Sequence, residues 1–278
     1  MLALKWPSEI YDIRGVFDGS VIKNGWEGYP TTIYTSTFTG PLGATSDPPE
    51  MDGAEMQSIA FTKDDGRSWT KLSFGSRGNP VICMYLPLLH LKLCDLCDWY
   101  ISLTKDEWPL KNLTGFRDPY AFISPILSSL FSNATNANGD IFLTISSGVR
   151  TSADPSGGPR LLLYRQTKPG DVLGWTYLGP LVSLPALSSF SEWSGNFGIN
   201  FETACVVRLD EKGDATNNID ARAINFIGFG TEEGRNGSHE DHWPLCKHGP
   251  IFFILCLVIN DDYIDKISVQ GPRRLTKP

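Results

Sequence analysis

The sequence has no excess of basic residues and no long apolar run. Its 24 lysines and arginines are outnumbered by 31 aspartates and glutamates, which gives a formal net charge of −7. A nucleic-acid partner needs a basic surface that neutralises phosphates, so this balance argues against one. The most apolar stretch, residues 249–260, holds about ten apolar residues where a membrane-spanning helix needs about twenty. We therefore expect neither nucleic-acid binding nor a membrane span.

Signals for secretion and for metal binding are also scarce. The apolar run at the start, MLALKWPSEIYD, is too short for a signal peptide, so we expect none in the chain as written. Cys94 and Cys97 form a single CxxC, with no second pair at the spacing of a four-ligand zinc site. The cluster SHEDHW (238–243) is conceivable as a metal site, but the rim of a pocket is the favoured interpretation. We expect no metal and no cofactor.

Helical periodicity is rare, whereas short β-rich runs bounded by Gly, Pro, Asn and Asp are common. Three of these runs each carry an acid, and each is followed by a second predicted strand. The acid-bearing runs are 16–22 with Asp18, 116–123 with Asp118, and 200–209 with Glu202. The runs that follow them are 30–38, 140–149 and 222–230. The pattern therefore predicts a repeated unit.

Two predicted hairpins complete the first two units. Residues 58–72 contain Thr62-Lys63-Asp64-Asp65-Gly66 and then Trp69, which matches the Asp-box pattern Ser/Thr-x-Asp-x-Gly-x-x-Trp. In that turn the Asp bonds the backbone and the Gly takes a positive φ. Residues 161–179 repeat the design with a longer turn and Trp175. Four-stranded units in series predict an all-β chain built of about three blades of a β-propeller.

The segment GFRDPYAF (115–122) places Arg117 and Asp118 side by side in an apolar strand. One interpretation is an ion pair at the end of a strand; the other is a catalytic carboxylate with its own counter-charge. The first strand of each propeller blade lines the central axis, so acids at the same place in three blades would converge on one pocket. The repeat therefore favours the catalytic interpretation.

The segments GVFDGSVI, GFRDPYAF and NFGINFETACVV resemble glycoside hydrolase family 32, over roughly residues 10–80 and 108–245. The resemblance implies a five-bladed propeller followed by a β-sandwich. It also implies a retaining mechanism with two carboxylates, acting on β-fructofuranosides such as sucrose or fructans. Family members are extracellular, although this chain as written predicts no signal peptide.

The resemblance assigns roles to eight residues. Glu202 would be the general acid/base, Asp118 would bind fructosyl hydroxyls and stabilise the transition state, and Arg117 would orient the carboxylates. The residues expected to contact the sugar or line the pocket wall are Asp18, Ser20, Trp193, Phe197 and His239.

The nucleophile of the resembled family is the Asp of an Asn-Asp-Pro triplet, and this sequence contains no such triplet. Without a nucleophile no covalent fructosyl-enzyme forms, so we expect the chain alone to be inactive. We also expect it to lack the C-terminal β-sandwich and to comprise an incomplete propeller over residues 1–245.

Two stretches fit neither the repeat nor the resemblance: an insert at 83–106 and a tail at 246–278, to which no domain is assigned. Of the six cysteines, only Cys205 lies outside them. Translated non-coding sequence is the first hypothesis for both stretches, and a genuine insertion is the alternative.

Three functions stay open from the sequence. They are a β-fructofuranosidase or fructosyltransferase, a non-catalytic remnant with at most sugar binding, and another Asp-box glycosidase such as a sialidase. The last ranks lowest because its arginine triad cannot be placed.

Overall fold

In the computed structural model three antiparallel sheets follow one another along the chain. The residues that the structure describes are 8–37, 55–75, 78–82, 113–125, 127–128, 140–152, 154–188, 197–210, 212, 214–215, 223–232 and 255–257. The first two sheets have four strands each and the third has three. Two short 3-10 turns, Ile10–Asp12 and Trp26–Gly28, flank the first strand. Within these residues no helix is long and apolar enough to cross a membrane.

The strands of each sheet pair in chain order, from an inner first strand to an outer last one. The first sheet consists of β1 (Gly15–Ile22), β2 (Thr31–Thr37), β3 (Glu55–Phe61) and β4 (Thr70–Lys71). The second consists of β5 (Leu113–Ile123), β6 (Ile141–Val149), β7 (Gly158–Gln166) and β8 (Trp175–Ser183). The third consists of β9 (Asn200–Asp210), β10 (Ala223–Glu232) and β11 (Leu255–Leu257).

The sheets pack face to face through apolar side chains. One core cluster joins the first and second sheets and includes Ile33, Ile59, Phe116 and Ile145. Another joins the second and third sheets, where the rings of Phe201 and Phe229 lie 4.2 Å apart between centroids. The inner strand β5 contacts both β1 and β9. This is the arrangement of neighbouring blades in a β-propeller, so the prediction of an all-β chain with about three blades is confirmed.

The first outer hairpin has the turn that the Asp-box pattern predicts. Asp64 Oδ1 accepts the backbone N–H of Ser68 at 2.8 Å, and Thr62 Oγ1 accepts the N–H of Gly66 at 2.9 Å. Gly66 has φ +82°, a value that favours glycine. The hydroxyl and N–H of Ser68 lower the pKa of the Asp64 carboxyl to about 2. The turn is thus stabilised by local bonds to an ionised aspartate.

Each inner strand contains a β-bulge in its pairing with the second strand. Two residues oppose one at Phe17–Asp18 in β1, at Asp118–Pro119 in β5 and at Thr203–Ala204 in β9. We expected the three acids at the same position in each inner strand, but their positions relative to the bulge differ. Asp18 and Asp118 lie at the second and first bulge residues, and Glu202 lies just before its bulge. The feature that repeats in the three inner strands is the bulge. The acids lie at three successive positions relative to it: just before it, at its first residue and at its second residue.

Glycines permit the close backbone contacts around these bulges. A Cβ at Gly19 would lie 2.0 Å from the carbonyl oxygen of Ile33 on β2. A Cβ at Gly148 would lie 2.1 Å from the carbonyl oxygen of Ile199, just before β9. Both positions require glycine because the neighbouring atom is backbone and cannot move aside.

The two stretches that the sequence set apart are only partly described. The insert at 83–106 lies outside the described residues. From the tail, Leu255–Leu257 forms β11 and pairs antiparallel with Asn225–Ile227 of β10. The tail therefore contributes the outermost described strand of the third sheet.

Candidate functional site

The candidate site is built around the β5 bulge, whose backbone is held by side chains of the first sheet. Glu55 Oε2 accepts the N–H of Phe116 at 2.5 Å, and Gln57 Nε2 donates to the Phe116 carbonyl at 2.8 Å. Thr35 Oγ1 accepts the N–H of Asp118 at 2.8 Å and donates to Gln57 Oε1. A bulge interrupts the pairing within its own sheet. Here the neighbouring sheet supplies the missing partners.

Ser20 extends this support to the far side of the bulge. Its hydroxyl donates to the Pro119 carbonyl at 2.9 Å and accepts the N–H of Ala121 at 2.7 Å. The described contacts of the Ser20 hydroxyl across to β5 are therefore with backbone. Its assignment as a sugar contact stays a prediction.

Arg117 lies between carboxylates from the two neighbouring sheets. Its Nε is 2.9 Å from Glu55 Oε1 on β3, and its Nη1 donates to Glu202 Oε1 on β9 at 2.7 Å. The Glu55 side chain is 2% exposed and the Glu202 side chain is 17% exposed. The guanidinium thus links all three sheets. Glu202 is the more exposed acid of the pair.

Asp118 sits beside this ion cluster in an unusual backbone conformation. Its φ is +56° and that of Thr203, across the sheet interface, is +47°, both in the left-handed region that non-glycine residues rarely adopt. Asp118 Oδ2 accepts the N–H of Thr203 at 2.7 Å. Such backbone strain clusters at functional sites, where the surroundings hold it in place.

The environment raises the pKa of the Asp118 carboxyl. Burial is the largest cause; the Thr203 N–H and Arg117 oppose it, while the negative charges of Glu202 and Asp18 add to it. The result is a pKa of about 6. The acids of the other two inner strands therefore both act electrostatically on Asp118.

The remaining predicted sugar contacts have different surroundings. Asp18 is exposed at the β1 bulge. Phe197 is 2% exposed and packs against Phe229, with ring centroids 6.1 Å apart, in the core between the second and third sheets. Trp193 and His239 lie outside the described residues. The structure thus brings together Arg117, Asp118 and Glu202, and the roles assigned to all eight residues stay predictions.

Sequence reasoning missed the first-sheet side chains that hold the bulge: Thr35, Glu55 and Gln57. The sequence expectation began the hairpin at Ser58, three residues after β3 starts at Glu55. The alternation of side chains along a strand could have indicated two of these residues, because it places Glu55, Gln57 and Ile59 on one face of β3. That face is apolar at Ile59, which is in the core, and polar at its inner end.

The described residues contain no group of three or more histidine, cysteine, aspartate or glutamate side chains arranged to hold a metal ion. The cationic partner of the clustered carboxylates is Arg117.

Comparison with known proteins finds similar structures. The β-fructofuranosidase of Aspergillus kawachii, solved with glycerol, is 32% identical over 89% of this chain and 33% of its own, with a TM-score of 0.61. The fructosyltransferase of A. japonicus is 28% identical over 90% of this chain and 36% of its own, with a TM-score of 0.63. No protein-family model and no curated protein sequence matches the chain.

This chain spans about one third of the length of those two structures. Their names describe both proteins as enzymes that act on fructosyl groups, and the first is a glycosidase. Over 89% of its length the chain therefore has the fold of the fungal β-fructofuranosidase, which confirms at the level of fold the resemblance to glycoside hydrolase family 32.

Proposed function

We propose that the chain carries the acid/base side of a retaining glycosidase site for β-fructofuranosides such as sucrose or fructans. One observation carries this proposal: Arg117 and Asp118 meet Glu202 at the interface of two sheets, with Arg117 Nη1 2.7 Å from Glu202 Oε1. A strand-end ion pair would explain a single contact. It would not explain a buried aspartate with a raised pKa next to a partly exposed, arginine-bound glutamate.

Glu202 suits the acid/base role. It would give a proton to the glycosidic oxygen as the bond to the fructosyl carbon breaks, and later take a proton from the acceptor. Arg117 holds the carboxyl in one orientation while leaving part of it exposed. Water as the acceptor gives hydrolysis, and a sugar hydroxyl gives fructosyl transfer.

Asp118 suits hydroxyl binding. Its Oδ2 is engaged by the Thr203 N–H, and no described residue donates a hydrogen bond to Oδ1. In the proposed site that oxygen would accept a hydrogen bond from a sugar hydroxyl. A carboxylate held beside the reacting carbon also stabilises the positive charge that develops there in an oxocarbenium-like transition state.

The proposal assigns no nucleophile among these residues, because the chain contains no Asn-Asp-Pro triplet. The chain alone is accordingly expected to release no measurable fructose from sucrose. Transfer rather than hydrolysis is the second candidate, favoured by the similarity to the fructosyltransferase of A. japonicus.

The test compares the chain with a fusion that places a blade bearing Asn-Asp-Pro ahead of it. We expect the fusion to release fructose from sucrose, and Glu202→Gln to lower its rate by about 10²–10⁴-fold, the usual contribution of an acid/base group. Glu27→Gln, at an exposed turn, is the matched control and should leave the rate unchanged. Release of glucose without an equal amount of free fructose would indicate transfer.

A chain that hydrolyses sucrose by itself, at a rate that Glu202→Gln leaves unchanged, would contradict both the expected inactivity and the role of Glu202. A fusion that folds but neither binds nor cleaves β-fructofuranosides would overturn the proposed function.

A further inference from the structure

The inner end of the first sheet carries a buried acid that the proposed chemistry does not use. Glu55 is the first residue of β3, and its side chain is 2% exposed. Burying a carboxylate is costly unless it is paired and hydrogen-bonded. Glu55 has both kinds of partner: the Phe116 N–H on Oε2 and the Arg117 guanidinium near Oε1.

The contact with Arg117 is at the Nε edge of the guanidinium. A guanidinium is planar and rigid, with its donors in a fixed fork. Glu55 attracts the guanidinium through an ion pair, Nε to Oε1 at 2.9 Å, that does not have hydrogen-bond geometry. Because the guanidinium is rigid, an attraction that holds this edge in place also restrains Nη1, which lies 2.7 Å from Glu202 Oε1. Glu55 acts on Glu202 through one rigid intermediary.

The backbone of the β5 bulge does not depend on Glu55 alone. Gln57 holds the Phe116 carbonyl, Thr35 holds the Asp118 N–H, and Ser20 holds the groups that follow. The bond from Phe116 N–H could be made equally well by a neutral acceptor. The feature that requires a carboxylate at position 55 is the charged contact with Arg117.

We propose that Glu55 is a positioning residue that fixes the Arg117 guanidinium and thereby aims it at Glu202. The role in catalysis rests on the function proposed above, since it assumes that Glu202 is the acid/base. The geometric part, that Glu55 immobilises Arg117, stands independently of any substrate.

Glu55→Gln is the sharpest variant. Its amide oxygen can still accept the Phe116 N–H, but the neutral amide no longer attracts the Arg117 guanidinium. The variant keeps shape and one hydrogen bond while it removes the charged contact. Asp12→Asn is the matched control: Asp12 is fully buried and pairs with Lys71 at 2.5 Å, and its other partners are Ser8, Glu9 and Tyr34.

The first readout is the Nε–H resonance of Arg117 in the full ¹⁵N-labelled chain, without sugar. The signal is identified by its loss in Arg117→Lys. In the parent we expect a signal that is shifted by the nearby carboxylate and exchanges slowly. In Glu55→Gln we expect its exchange with water to increase by about tenfold or more, because loss of the buried ion pair releases the guanidinium. Asp12→Asn should leave the signal unchanged.

An Arg117 Nε–H in the parent that is unshifted and exchanges freely would overturn the inference without any variant. So would a folded Glu55→Gln chain whose Arg117 signal is as protected as in the parent. The parent measurement remains decisive even if Glu55→Gln fails to fold.

The second readout is the rate of the active fusion. We expect Glu55→Gln to lower kcat by about 10–100-fold, as a small misplacement of a catalytic group does, with little change in KM. A change in KM alone would contradict positioning of Glu202. If the resonance moves but the fusion shows no fructosidase activity at all, the geometric inference holds and the proposed function fails.

Discussion

The bulges of β5 and β9 have the same pairing pattern, but their supports differ. The bulge in β5 is held from the first sheet by Thr35, and the flanking groups by Gln57, Glu55 and Ser20. The bulge in β9 is held from the second sheet by a longer bond, from the Ala204 N–H to Ser146 Oγ at 3.3 Å, and by the carboxylate of Asp118 on the Thr203 N–H.

The residue opposite each bulge explains part of this difference. In β2 the residue opposite the β1 bulge is Thr35, whose hydroxyl reaches across to β5. In β6 the equivalent residue is Ile145, which belongs to the apolar core. At the first interface the residue opposite the bulge therefore supplies a hydroxyl to the next inner strand, whereas at the second interface the hydroxyl comes from Ser146, the residue after Ile145. The chemistry of the site depends on the neighbouring sheet as much as on the acid-bearing strand.

The largest expected effect comes from replacing Arg117, which precedes the β5 bulge and pairs with Glu202, the residue before the β9 bulge. Arg117→Met should lower the free energy of unfolding by about 3–5 kcal/mol, because it leaves the buried Glu55 carboxylate uncompensated. The measurement is urea unfolding followed by tryptophan fluorescence. Arg14→Met, at an exposed arginine, is the control and should change stability by less than about 0.5 kcal/mol.

Combining Arg117→Met with Glu55→Gln sharpens this test. If the cost is the unpaired charge, the double variant should be more stable than Arg117→Met alone. A double variant that shows the full sum of the two single losses would indicate that packing, and not charge, is what Arg117 supplies to the bulges.

The next effect separates Asp118 from Asp18, the acids of the β5 and β1 bulges. The pKa of Asp118 is about 6 in the folded chain, against an ordinary 3.8. The folded state therefore binds this proton more tightly than the unfolded state. The stability that follows is fully present below about pH 4 and is lost as the pH rises through about 6.

Asp118→Asn removes this dependence on pH. We expect its free energy of unfolding, relative to the parent, to increase by about 2–3 kcal/mol between pH 4 and pH 7.5, the linkage value of such a shift. Asp18→Asn, at an exposed carboxylate, should differ from the parent by less than about 0.5 kcal/mol at either pH. A decrease for Asp118→Asn over the same range would show that the pKa is lowered and that Arg117 outweighs burial.

Local sequence signals predicted most of the fold. Short β-rich runs and the turn residues that bound them located the inner strands to within about three residues of β1, β5 and β9, and the Asp-box pattern predicted the turn at Asp64 and Gly66. These features depend on neighbours in the chain. The same reasoning brought Arg117, Asp118 and Glu202 together because strands in equivalent places of a repeat end at one axis.

The support of the site was not predictable in the same way. A bulge is a property of pairing between strands, so the register of Asp18, Asp118 and Glu202 cannot be obtained from the strand sequence alone. Glu55 and Thr35 act across a sheet interface on residues more than sixty positions away. Nothing in their own segments specifies which backbone groups they will meet.

The smallest expected effect compares single hydroxyls at the two interfaces. Ser20 Oγ makes bonds of 2.9 and 2.7 Å to the β5 backbone, whereas Ser146 Oγ accepts one of 3.3 Å from β9. Ser20→Ala should cost about 1–2 kcal/mol, because it leaves the Ala121 N–H without its partner. Ser146→Ala should lower the free energy of unfolding by less. The bond that it breaks is long, and removing the fully buried hydroxyl also removes the cost of burying a polar group. Urea unfolding of both variants tests the order, with exposed Ser183→Ala as the reference. If Ser146→Ala proves the more costly, the β9 bulge is the better supported of the two.

Ser20→Ala has a second readout in the active fusion, where a change in KM without a loss of stability would favour sugar contact over backbone support.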